Sequence, residues 1–330
     1  MIEPAGEKVL FSPPDPDGLR RFNMEKPRKL VSKLMSAREA ISQFVNDGDY
    51  LGVGGFGTNR IPTALLHEVV RQRRKHLGFA GHTSTHDMQI LVGGGCLDRC
   101  DCAYVVGLEA RGLSLNARRA FESGAIQATE WTNAALAWRY KAAAMGIPFI
   151  PARVMLGTDT FAYSAAKTVI CPFTGTTLAA LPALSPDVAL IHVHRSDEFG
   201  NAQIDGITVA DLDLARAAKR VVISTERLVT NDEIRSHPHL TSIPYYCVDG
   251  VVVQRYGGYP GNVAYEYFSD EEHLREWLTA ETDPNGFADF MEHYIYGVPD
   301  FQSYLELKGG EARMAQLRAE ELLENGKEGK

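Results

Sequence analysis

Gly52-Val53-Gly54-Gly55-Phe56-Gly57 has the spacing G-x-G-x-x-G. Glycines so placed let a backbone turn sharply and bring amides close to a phosphate or to a developing oxyanion. The bland alternative is a tight turn where backbones crowd. Arg60 follows, with a planar guanidinium suited to clamping a carboxylate, or to sitting on the surface at a helix start. A second polar run, His82-Thr83-Ser84-Thr85-His86, offers hydroxyls and imidazoles. Glu130 is a candidate acid or base, and nearby Asn133 is either a ligand contact or a helix cap. His192 and His194 stand two apart, so they share a strand face. Glu226 could face the same cleft. Cys96-x3-Cys100-x-Cys102 brings three thiols together, but a zinc site wants four ligands at recognised spacing, so no metal is expected. Arg71-x-Arg73-Arg74-Lys75 suits the negative end of a helix dipole and could also touch a phosphate.

These groups have to be positioned by short apolar strings alternating with helical periods. Tyr50–Val53, Leu77–Gly81, Cys102–Val106, Pro148–Pro151, Thr168–Ile170, Asp187–Val193, Val221–Thr225 and Cys247–Gln254 read as strands. Ser36–Val45, Thr63–Arg73, Leu115–Glu122, Asn133–Met145 and Asp211–Ala218 read as helices. Strand and helix in alternation predict an α/β fold with an open, mainly parallel sheet flanked by helices. The glycine loop then lies after the first strand, and the His82–His86 run after the second. In such sheets ligand sites open at the strands' carboxyl ends. A dinucleotide site fits the loop poorly. The next helix starts several residues late, and the second strand is not closed by an acid, the first being Asp87. Residues 1–30, rich in Pro, Asp and Arg, read as an extended arm, suited to lying on a partner. Residues 31–270 form the α/β domain, and 271–330 a helical extension whose last turns, Glu311–Gly326, should be exposed.

The chain has 330 residues, 34 Lys and Arg against 42 Asp and Glu, a net charge of −8 and a pI near 5.7. Apolar residues make up 45% and charged residues 23%, which excludes a disordered chain. The acidic balance and lack of a basic stripe argue against nucleic acid as a partner. No apolar string approaches the ~20 residues of a membrane span. No secretory signal is visible, and five cysteines fit a reducing compartment, so a cytoplasmic protein is expected.

Longer strings carry a resemblance. GGFGTNRIP after the Asp47-Gly48-Asp49 turn resembles the glycine loop of family I coenzyme A transferases, in which a GGF string is followed by a proline that opens a helix. Ala142–Pro148 (AAAMGIP), Val188–Asn201 (VALIHVHRSDEFGN), Ala210–Arg227 (ADLDLARAAKRVVISTER), Asn231–Arg235 (NDEIR) and Ile243–Val253 follow in the family's order. The pattern runs from about 33 to 270 and is most similar to the A subunit of the glutaconate type, of the NagB/RpiA-like fold group.

The resemblance implies a division of labour. In that family a Glu carboxylate attacks an acyl-CoA thioester, and CoA is passed to a carboxylic acid through covalent intermediates. In two-subunit members that Glu lies in the B subunit, in an S-E-N-G type string that this chain lacks. The resemblance therefore implies a subunit without its own nucleophile, inactive without a B subunit, in an A2B2 or larger assembly. It implies a coenzyme A thioester as substrate and no permanently bound cofactor. Gly54, Gly55 and Phe56 would form the acyl-site loop with amides exposed for an oxyanion. Arg60, Thr83, Ser84, His86 and Asn133 would contact substrate, and Glu130 is the one catalytic candidate. Relatives of the same fold hydrolyse a C–C bond in a cyclic, steroid-derived CoA thioester or decarboxylate an acyl-CoA. Both are alternatives, and the hydrolases use an acid near the element that holds Glu130.

Overall fold

The computed structural model describes residues 6–105 and 111–324. The chain runs α1 (Pro16–Glu25), α2 (Ala37–Phe44), β1 (Tyr50–Val53), α3 (Thr63–Arg71), β2 (Leu77–Gly81), α4 (His86–Gly93), β3 (Leu97–Cys102), α5 (Leu115–Glu122), β4 (Gln127–Glu130) and α6 (Asn133–Ala144). It continues through β5 (Phe149–Ala152), α7 (Asp159–Ala162), β6 (Lys167–Ile170), β7 (Thr177–Pro182), β8 (Val188–Ser196), β9 (Ala202–Gln203), α8 (Asp211–Ala217) and β10 (Arg220–Leu228). It closes with α9 (Asn231–Ser236), β11 (Thr241–Ile243), β12 (Gly250–Val253), α10 (Glu271–Ala280), α11 (Pro284–Met291), α12 (Phe301–Leu307) and α13 (Gly310–Glu321).

The large sheet has the order β12-β10-β8-β1-β2-β3-β4, and every one of these neighbours is parallel. β9 and β11 branch antiparallel from the end of β8. Strand alternation divides the core between the two faces. Leu51, Val188, Leu190 and Val222 join one cluster, with α2, α3, α4 and the C-terminal helices. Tyr50, Ala189, Ile191, Val221 and Ile223 join the other, with α6, α8 and a small antiparallel sheet, β5-β7-β6. The central strands are covered on both faces, which is why they read as continuous apolar runs.

Three expectations change. Residues 1–30 are not simply extended. Asp15 caps α1 by accepting from the Gly18 amide (2.8 Å), and Leu19 is buried. The described part of this arm is tied to its own chain. Gly6 donates to the Ala166 carbonyl (2.9 Å), Thr129 to that of Val9 (2.8 Å), and Lys26 pairs with Asp249 (2.7 Å). The third strand is Leu97–Cys102 rather than Cys102–Val106, because the polar string Asp98-Arg99-Cys100-Asp101 hides it; position 106 lies outside the described residues. The C-terminal helices are part of the main core. Trp277, Ile295, Phe301 and Tyr304 share a cluster with Leu51 and Phe79, and Met314 and Leu317 are buried within the stretch expected to be exposed. Among the described residues, no helix is long and apolar enough to cross a membrane.

Candidate functional site

The carboxyl ends of β1, β2, β8 and β10 meet around the loop Gly54–Arg60. The loop turns twice on left-handed glycines, Gly55 (φ +78°) and Gly57 (φ +59°). A Cβ on Gly55 would lie 2.5 Å from the Asn59 carbonyl oxygen, so only glycine fits there. The loop's amides are occupied. Gly54 donates to Leu190 (2.9 Å), Gly55 to the Asp211 carboxylate (2.9 Å), Phe56 to Asn59 (3.1 Å) and Gly57 to Thr83 (2.7 Å). The expected set of exposed amides is therefore absent from Gly54–Gly57: the tight turn closes on itself and on Asp211. Phe56, Gly57 and Asn59 form its half-buried outer tip.

Arg60 is placed differently from a substrate clamp. It is fully buried, its Nη1 pairs with Asp211, and its Nη2 donates to the Ile207 carbonyl (2.7 Å). Its amide donates to Asn262 (2.8 Å), whose own amide donates to Thr58 (3.0 Å). Asp211, the first residue of α8, thus holds both the glycine loop and Arg60. Its role was not legible in the sequence, because its partners lie about 150 positions away.

The run after β2 divides by burial. His82 and Thr83 are half-buried, with Thr83 at φ +51°. Ser84, Thr85 and His86 are buried. Thr85 Oγ1 donates to the Gly57 carbonyl, joining this loop to the first. His86 Nδ1 meets Gln89 Oε1 (3.1 Å), its Nε2 has no partner, and its ring stands edge-on to Trp277. Burial pushes the His86 imidazole down to about 3, so it is neutral. Burial raises the Asp87 carboxyl to about 6, against the opposing pull of the Met88 and Thr85 amides. Thr58, Thr85, His86, Gln89, Arg111 and Leu274 surround a small cavity between these loops and α10.

The histidines on β8 are sealed. His192 bridges Ser224 Oγ (2.8 Å) and Glu226 Oε1 (2.7 Å), while Tyr267 donates to Glu226 (2.8 Å). His194 lies between the Ala264 carbonyl and the Asp205 amide, and burial lowers its pKa. Glu226 is buried rather than facing the cleft. Arg71 Nε donates to the carbonyls of Ile295 and Val298 (3.1 Å each), inside the fold. No group of three or more metal-ligating side chains occurs among the described residues. Glu130 ends β4 and is exposed; Asn133 opens α6 with a buried, unpartnered Oδ1.

The family model "Coenzyme A transferase" matches residues 34–254. The chain belongs to the coenzyme A transferase family. It is 32% identical to the A subunit of 3-oxoadipate CoA-transferase from Pseudomonas knackmussii, over 83% of this chain and 97% of that one. It is 29% identical to the A subunit of glutaconate CoA-transferase from Acidaminococcus fermentans, over 87% and 95%. The crystal structure of the latter enzyme superposes with a TM-score of 0.83, covering 87% of this chain and 95% of that one. A variant of the decarboxylase AibA/AibB matches with a TM-score of 0.72 and 32% identity, over 80% and 98%.

Asp87, Asp211 and Glu226, the carboxylates at these strand ends, are all buried, and Asp211 and Glu226 are held in ion pairs or hydrogen bonds on both oxygens. What faces outward is Phe56, Asn59, His82 and Thr83. The segment Tyr256–Tyr267, which holds Arg60 through Asn262 and Glu226 through Tyr267, carried no chemical signature in the sequence.

Proposed function

We propose that the chain is the A subunit of a two-subunit enzyme that moves CoA between an acyl-CoA and a carboxylic or dicarboxylic acid. One observation carries this reading: a braced glycine loop at the strand ends whose neighbouring carboxylates are buried and engaged. A Glu nucleophile then comes from a B subunit; the similar transferases are themselves named as A subunits. Phe56 of the Gly54-Gly55-Phe56 loop bounds the acyl group, Thr83 lies at the mouth, and Ser84, His86 and Asn133 shape the wall behind. Arg60 acts by holding the loop. The CoA thioester is a substrate, no cofactor is resident, the assembly is A2B2 or larger, and the protein works in the cytoplasm.

The test is reconstitution. The chain alone should not exchange CoA between acyl-CoA and acid, and the chain with the product of the neighbouring reading frame should. Transfer by the chain alone overturns the shared site. The exposed Glu130 and the likeness to AibA/AibB favour a second reading, a C–C hydrolase or a decarboxylase. CO2 release or ring cleavage by the reconstituted pair, without transfer to an added acid, would decide for it.

A further inference from the structure

Cys100 and Cys102 take no part in the acyl site, yet β3 sets them side by side. They are two residues apart on one strand, so their side chains share a sheet face. Asp101 between them serves the other face, where it accepts from Trp131 Nε1 (2.6 Å) and pairs with Arg139 (2.8 Å). Cys102 Sγ lies 3.2 Å from Cys100 Sγ. Cys100 is fully buried, while Cys102, at the strand's last position, is partly exposed.

We propose that Cys100 and Cys102 are a modification site that a hydroperoxide converts to a reversible disulfide, with Cys102 meeting the oxidant and Cys100 resolving it. With hydrogen peroxide, the Cys102 sulfur attacks one oxygen, the O–O bond breaks, and a sulfenic acid and one water form. The Cys100 sulfur then attacks the Cys102 sulfur. The S–O bond breaks, and the hydroxyl leaves with the Cys100 proton as a second water. The two thiols lose two electrons and two hydrogens, and the peroxide gains them. Burial raises the pKa of the Cys100 thiol, in keeping with a resolving thiol that does not meet the oxidant first.

The bridge would be easily reopened. Two residues along a strand span roughly 6.6–6.8 Å between Cα atoms, and their same-face Cβ atoms are about as far apart, past the limit of about 4.5 Å between Cβ atoms in a disulfide, so the end of β3 has to bend for the bridge to close. Bridges held near that limit are strained and reduce readily. The strand end matters to its surroundings: Cys102 is in register with Glu130, and its carbonyl accepts the Trp131 amide (2.6 Å).

The experiment uses the full chain, treated with hydrogen peroxide, alkylated and mapped by mass spectrometry. The peptide beginning at Cys100 should lose about 2 Da, the mass of two hydrogens. Two of the five cysteines should drop out of the thiol count and return with dithiothreitol. In C100S, dimedone should trap Cys102 as its sulfenic acid; in C102S, Cys100 should remain a thiol. Oxidation of Cys102 to a sulfinic acid without the mass loss, oxidation confined to Cys171, or five unchanged thiols would overturn the proposal. The wild-type measurement stands even if a variant fails to fold.

Discussion

Among single residues, position in the fold decides which polar groups are structural. Arg60 and Asp211 form a buried pair, and breaking such a pair costs about 3–5 kcal/mol because the remaining charge stays buried. Arg60→Met should therefore lower stability by that order in urea unfolding, and Arg60→Met with Asp211→Asn should recover part of it. A substrate clamp would instead show a raised KM at unchanged stability. Gly55→Ala should displace the loop, since a left-handed alanine costs about 1–2 kcal/mol even before the clash with Asn59. Its readout is CoA-transfer activity in the reconstituted enzyme, expected to fall further than stability. Glu130→Gln separates the two functional readings. A transferase should lose less than about tenfold in kcat/KM, whereas a general acid or base would lose about 10²–10⁴-fold.

Among the elements, the C-terminal helices dock over a group of histidines. His67 on α3 packs against Phe301 and Tyr304 with neither ring nitrogen partnered. His86 on α4 meets Trp277, and His273 on α10 bonds Glu276 and Tyr304. Burial lowers the pKa of all three. The unfolded chain therefore takes up protons first as pH falls. Stability is fully present above an unfolded pKa near 6.5 and falls below it, by about 1.4 kcal/mol for His86 at one unit lower, with His67 and His273 acting in the same direction. Asp87, raised to about 6, works in the opposite direction between roughly pH 4 and 6, joined by Glu281, which burial also raises, while His82 and His194, lowered by burial, act with the other histidines. Urea midpoints should thus fall from pH 7.5 to 5.5, with hydrogen exchange rising first in 271–321. His67→Phe should reduce that slope; an unchanged slope would count against the histidines as its source.

For the molecule as a whole, residues 271–321 complete the sheet's covered face. Ending the chain at 270 should give insoluble or molten protein by circular dichroism, since Trp277, Phe287, Ile295 and Phe301 would leave one core together. A separable extension would instead leave a folded, cooperative domain.

Apolar period and glycine turn chemistry are local, so the strand–helix alternation, the bounds of β1 and β2, and the family could all be read from the chain alone. β3 could not, because Asp98 and Arg99 break its apolar pattern. The positions of Gly54–Gly57, Arg60 and the His82–His86 run were equally legible, but their roles were not. It took the folded arrangement to show that the loop's amides and the Arg60 guanidinium are taken up within the fold, and that His86 is buried and neutral while His82 and Thr83 are only half-buried. The reason is physical. Hydrogen-bond partners such as Asp211 and Asn262 come from elements about 150–200 residues away, and burial, which sets charge state and access, is a property of the assembled core.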